Sequence, residues 1–153
     1  MNIDRPGACV SVDQLESPDA GLIAQLKGTP TTARYTCATL FVDHFSDLTF
    51  VHLQKSTNAN ETVEGKHVFE RYSRSHIIKI THYHADNGRF AENKWLADLV
   101  RVPGQGQTMS LCGVNVHFQN GVAERRVRDL QDRTRTQLLH AQIRWKQAIT
   151  TNL

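Results

Sequence analysis

A chain of 153 residues, 39% of them hydrophobic and 22% charged, has the size of one domain with a sizeable core and a composition that excludes disorder as the default. The net charge of +3 is a mild basic bias, no apolar run approaches the roughly 18 residues of a membrane span, and the N-terminus lacks a charged-then-apolar leader, so a cytosolic or nuclear protein is expected. Cys9, Cys37 and Cys112 are odd in number, far apart and without a Cys-x-x-Cys, which argues against a disulfide framework or a cysteine zinc site and leaves them as buried small hydrophobes.

After a break at Pro6-Gly7, residues 8–15 alternate well enough for a first strand, which carries Asp13. Residues 16–34, with Pro18, Gly21, Gly28 and Pro30, read as a long connection with room for one helical turn over 22–26. Residues 35–43 and 48–54 are β-branched and aromatic runs on either side of His44-Phe45-Ser46-Asp47, the pattern of a hairpin. From Thr57 the pattern becomes helical, with Ser56 or Thr57 as cap and an end near Ser75. Residues 77–84 are β-prone and run up to Asp86-Asn87-Gly88, where the chain breaks. Residues 92–100 read as a second helix stopped before Pro103, 104–108 as a loop, and 111–115 as a short fifth strand. A polar loop ending at Gly121 precedes a long helix from 122 to about 139, with Val127, Leu130, Thr134, Leu138 and Ala141 on its inner stripe; residues 142–150 begin a last helix.

Two acids thus stand at element ends, Asp86 after a strand and Glu124 in the first turn of a helix, where side chains can converge on a metal. Each has a plainer reading, Asp86 as a turn residue and Glu124 as a charge favoured by the helix dipole. A third acid lies upstream, either Asp13 or Asp43. The stretch from Arg125 to Arg144 carries Arg125, Arg126, Arg128, Arg133, Arg135 and Arg144 against Asp129 and Asp132 alone, a basic run beside an acidic site, as phosphodiester chemistry needs.

Asp86-Asn87-Gly88 after a strand, and Gln119-Asn120-Gly121-Val122-Ala123-Glu124-Arg125 opening a helix, resemble the catalytic core of retrovirus-type integrases, that of copia-type LTR retrotransposons above all. The 37 residues between Asp86 and Glu124 are close to the spacing that gives that family its label. The resemblance implies an RNase H-like α/β fold, a mixed five-stranded sheet flanked by helices in the order β-β-β-α-β-α-β-α-α. It implies that residues 1–153 are a catalytic core, without the family's zinc-binding N-terminal and DNA-binding C-terminal domains. It also implies two Mg²⁺ (or Mn²⁺) ions held by Asp13, Asp86 and Glu124, since the family's first ligand lies on the central strand in a pattern like Val12-Asp13-Gln14. Asp43, in Val42-Asp43-x-x-Ser46, matches a structural mark instead.

DNA contacts are implied for Asn87, for the loop residues His117, Gln119, Asn120 and Gly121, with Gly121 as hinge, and for Arg125, Arg128, Gln131 and Arg135. The last three follow Glu124 at positions that project from one helix face. Gln131 departs from the basic residue usual in the family, which weakens that contact. The implied activity is 3′-end processing and strand transfer on element ends and target DNA, by multimers, in the nucleus after a cytoplasmic virus-like particle. The rivals are a nuclease of the same fold and a non-catalytic nucleic-acid- or protein-binding remnant. His76, His82, His84 and His117 lack zinc-finger spacing; His82 and His84 share a strand face and read as phosphate contacts or plain surface. Trp95 and Trp145 read as core.

Overall fold

The computed structural model describes residues 3–22, 34–86, 88–100, 106–113 and 120–144. Within them the β-prone runs form β1 (Val10–Leu22), β2 (Arg34–Asp43), β3 (Thr49–Gln54), β4 (His82–Ala85) and β5 (Thr108–Leu111). The helical patterns form α1 (Ala59–Ser75), α2 (Asn93–Val100) and α3 (Gly121–Arg144), with a 3-10 turn at Arg89–Ala91 ahead of α2. The sheet runs β3-β2-β1-β4-β5: β1 is antiparallel to β2 and β2 to β3, whereas β4 is parallel to β1 and β5 to β4. This is the mixed five-stranded sheet expected, with β1 at its centre.

Strand alternation decides what each side of the sheet holds. Val10 and Val12 of β1, Phe41 of β2, and Tyr83 and Ala85 of β4 point to one side, where they meet Val63 and Phe69 of α1, Phe90, and Trp95 and Leu99 of α2. Phe41 stacks on Phe69 with centroids 4.6 Å apart, and Tyr83 meets Trp95 edge-on at 5.7 Å. Each such side chain contributes about 1.5–3 kcal/mol by leaving water. On the other side, Ala38, Leu40 and Val42 of β2 are buried, α3 packs against β1 and β2, and Ala123 is fully enclosed. All three cysteines are buried, as is Trp95; Trp145 lies outside the described residues.

Several boundaries differ from the sequence reading. β1 does not stop near residue 15: it pairs with β2 as far as Leu22↔Arg34, with a register shift between Glu16 and Gly21. Pro18 lies inside that shift, and a residue that cannot donate to a ladder is tolerated there. Most of the expected helical turn, 23–26, lies outside the described residues. α1 is capped by Asn58, not Ser56 or Thr57: the Glu61 N–H donates to Asn58 Oδ1 (2.9 Å), while the Glu61 carboxylate accepts from the Lys55 N–H and the Ser56 hydroxyl. β5 sits at Thr108–Leu111 because its register is set by β4, His82↔Thr108 through Ala85↔Leu111; residues 114–115 are outside the described part. α3 runs unbroken to Arg144, through the expected start of a further helix at 142. Its inner stripe is only half-buried, and Thr134 is exposed.

The isoleucine run before β4 is spent differently from a strand. The Ile77 N–H donates to the Arg74 carbonyl and the Ile78 N–H to the Ser73 carbonyl, the paired bonds that wrap the end of a helix. Ile77 therefore takes φ 64° and is 97% exposed, while Ile78 and Ile80 reach the core. A β-branched residue is strained in that left-handed conformation, which glycine adopts freely. Ile77→Gly is expected to stabilise the protein by about 1 kcal/mol in urea unfolding; a loss of stability would refute the strain argument.

Candidate metal and nucleic-acid site

β1 and β4 lie side by side and parallel, and the last register pair between them is Val12↔Ala85. The next residue on each chain is an acid, Asp13 and Asp86. Val12 and Ala85 are buried toward α1 and α2, so Asp13 is turned to the α3 side. There α3 begins: Asn120, one residue ahead of it, donates from Nδ2 to the Val12 carbonyl at 3.1 Å. Ala123 is buried at this end of the helix, and Glu124 follows it, partly buried in the first turn.

Electrostatics ties the three acids together. The Asp13 carboxyl is pushed up to about 6, first by burial and then by the negative charges of Asp86 and Glu124, against the opposing hydrogen bond from the Gln14 N–H (2.8 Å). Cys112, just after β5, feels the same charges: burial raises its thiol pKa, and Asp86, Glu124 and Asp13 raise it further. A set of carboxylates suits a hard divalent cation by donor chemistry, and their mutual repulsion is what such a cation relieves. Their grouping is looser than that. Among the described residues no three His, Cys, Asp or Glu side chains stand closely enough to hold an ion. Asp13 Oδ1 is turned to its own backbone, and the Asp86 carboxylate lies over Gly88, where a Cβ would come within 3.0 Å of Oδ2. The glycine of Asp-Asn-Gly thus makes room for the acid.

The raised Asp13 pKa has a signed consequence. A carboxyl whose pKa rises from 3.8 to about 6 on folding prefers its proton in the folded state, so its ionisation costs stability as pH climbs through that window. In metal-free protein, Asp13→Asn is expected to gain stability over wild type between about pH 4 and pH 7, by thermal unfolding; a constant difference would show that Asp13 is not raised. The comparison is between variants because His44 and His82, whose pKa values burial lowers, carry the opposite slope.

Asp43 belongs to a different part of the fold. It pairs with Val10, the first residue of β1, is 3% exposed, and has both oxygens engaged: Oδ1 accepts from the Gly7 N–H (2.8 Å), Oδ2 from the Ser46 N–H (2.8 Å) and hydroxyl (2.6 Å). It holds the hairpin turn against the start of β1.

No protein-family model matches the chain, and no curated protein matches it. Solved structures do. The HTLV-2 integrase catalytic core domain in complex with magnesium, in trimeric and in dimeric form, superposes with a TM-score of 0.58 in each case, at 20% identity, covering 88% of this chain and 74% of that one. An intasome of simian T-cell lymphotropic virus in complex with PP2A regulatory subunit B56 gamma gives 0.57 at 15% identity, over 82% of this chain and 40% of that one. The fold is that of an integrase catalytic core.

On this integrase-like core, Arg125, Arg128, Gln131 and Arg135 are exposed along α3. Arg126 pairs with Asp47, and Arg133 with Asp129 at 3.1 Å. Asn87, His117 and Gln119 lie outside the described residues. Asn120, expected to touch DNA, is 1% exposed and bonded to β1, so its side chain is a tether between elements. Gly121 begins α3 with open space where a Cβ would stand, so nothing steric requires glycine there.

Of the two strand histidines, His82 is buried and His84 half-buried, and both rings are engaged by side chains of the neighbouring strand. His82 is 7% exposed, with Nδ1 2.7 Å from Thr108 Oγ1 and Nε2 2.9 Å from Ser110 Oγ; His84 Nδ1 is 2.7 Å from the same Ser110 oxygen. His84 Nε2 lies 3.6 Å from Cys112 Sγ, and His44 Nε2 2.7 Å from Ser11 Oγ. The sequence reading missed this polar layer, and with it Cys112. Its signal was the run of Thr108, Ser110 and Cys112 at alternate positions.

Proposed function

We propose that the chain is the catalytic core of a copia-type integrase, a DDE-type polynucleotidyl transferase that trims element ends and joins them to target DNA. The carrying observation is that Asp13, Asp86 and Glu124, from two adjacent parallel strands and the start of α3, share one electrostatic field on an integrase-type fold. The magnesium of the HTLV-2 core supports Mg²⁺, or Mn²⁺ in its place, as the ion for this set. Two such ions, when bound, would supply activation of the attacking oxygen and stabilisation of the leaving one. Asp13, Asp86 and Glu124 would hold them, the cations offsetting the mutual repulsion of the three carboxylates. Arg128 and Arg135, on the helix face of Glu124, would grip phosphates of the element end, so binding should be strongly salt-dependent and weakly sequence-dependent. The attacking group is water in trimming and a DNA 3′-hydroxyl in joining, so no covalent enzyme intermediate is needed. Joining two ends calls for a multimer, and access to host DNA for a nuclear location.

The open grouping of the acids favours a second reading, a non-catalytic DNA- or protein-binding remnant. The separating experiment uses a branched DNA that mimics a half-joined end, with Mg²⁺ or Mn²⁺, beside an RNA–DNA hybrid. Joining of the branched substrate is the expected result. Cleavage of the hybrid alone would replace it with a nuclease, and folded protein with neither activity nor Mn²⁺ binding would leave the remnant.

A further inference from the structure

We propose that Asn120 is a positioning residue for the Asp13–Glu124 pair, acting through one side-chain hydrogen bond between α3 and β1. The proposal rests on the reading of these acids as a divalent-metal centre.

Asn120 stands one helical turn before Glu124, and its Nδ2 donates to the carbonyl of Val12, the peptide unit that leads into Asp13. A single 3.1 Å bond, spanning 108 residues of sequence, thus joins the strand carrying one acid to the helix carrying another. The residue is 1% exposed, and its Oδ1 is buried with no hydrogen-bond partner among the described residues. The amide can hold only one orientation, because a flip would set Oδ1 against the Val12 oxygen, acceptor against acceptor. A buried acceptor left unpaired lowers stability, so a leucine of similar size would serve the fold about as well. What leucine cannot supply is the bridge. A residue that is indifferent or unfavourable for folding, yet ties together the segments bearing two acids, is placed for the spacing of those acids.

The test is Asn120→Leu, measured in three ways on the whole chain. The unfolding temperature is expected to hold or rise, calorimetric affinity for Mn²⁺ alone to fall about tenfold or more, and joining of branched DNA to lose kcat at unchanged KM. A merely structural asparagine would move the first readout and leave the Mn²⁺ affinity intact, and wild-type Mn²⁺ affinity in Asn120→Leu overturns the proposal. Absence of Mn²⁺ binding by the wild type would overturn the metal-centre reading itself, and this proposal with it. Should Asn120→Leu not fold, the side-chain amide protons of Asn120 in metal-free wild type decide: slowed exchange is expected, and exchange at the rate of a free amide overturns the bridge.

Discussion

Asp86→Asn and Asp13→Asn are each expected to fold and to lose joining of branched DNA by about a thousandfold or more, the rate equivalent of several kcal/mol of lost charge stabilisation. Asp43→Asn is the informative companion. Its carboxylate is fully engaged in accepting from Gly7 and Ser46, so the variant should lose stability but keep the rate of whatever remains folded. If Asp43→Asn abolishes joining in folded protein while Asp13→Asn spares it, the first ligand has been assigned to the wrong strand. Mn²⁺-dependent thermal stabilisation gives the same comparison without catalysis, present in wild type and Asp43→Asn, absent in the other two.

The largest expected effect on stability comes from α1. Lys66 is 1% exposed, with Nζ 2.9 Å from Glu70 Oε1 and 2.7 Å from Asp98 Oδ2, and it sits 5.6 Å from the Tyr83 ring centre. Glu70 Oε1 also accepts from the Tyr83 hydroxyl (2.9 Å) and Gln107 Nε2 (2.6 Å), and Asp98 is met by His67 Nε2 at 2.8 Å. Burial raises the Asp98 carboxyl, but the bonds from Lys66 and His67 outweigh it and hold that group below the usual carboxylate range. Lys66→Met fills the volume but leaves two enclosed carboxylates without their cation, which should cost about 3–5 kcal/mol and lower the unfolding temperature by on the order of 10 °C. Adding Glu70→Gln and Asp98→Asn should restore much of the loss. A single variant within about 1 kcal/mol of wild type would mean that the network adds no stability.

The sequence announced the sheet well where signals are local. Residues 35–43 and 48–54 became β2 and β3 almost to the residue, because alternation and a four-residue turn define a hairpin without help from elsewhere. It misled where a distant partner decides. Glu16 to Leu22 reads as loop by its proline and glycine, yet β2 extends beside it and supplies a ladder with room for the irregularity. Residues 77–81 read as strand by their isoleucines, yet the end of α1 claims the N–H groups of Ile77 and Ile78, and Thr81 donates to Gly7. The places of Asp86 and Glu124 at element ends were legible in the sequence, whereas the burial of Asn120 and His82 was not, since polar residues look alike in sequence whether they face water or each other.

The two strands that carry Asp13 and Asp86 are neighbours in one hydrogen-bonded sheet, and β1 is bonded on both flanks. The backbones of Val12 and Ala85, each one residue before an acid, are therefore held at the interstrand spacing of about 4.8 Å, which no ligand can alter without breaking the ladder. Glu124 stands on α3, outside that ladder, where the helix packs against β1 and β2. On the proposed reading, DNA laid along α3 would act on the corner that this ladder does not hold, so assembly of the centre would turn on the approach of the helix start to the sheet.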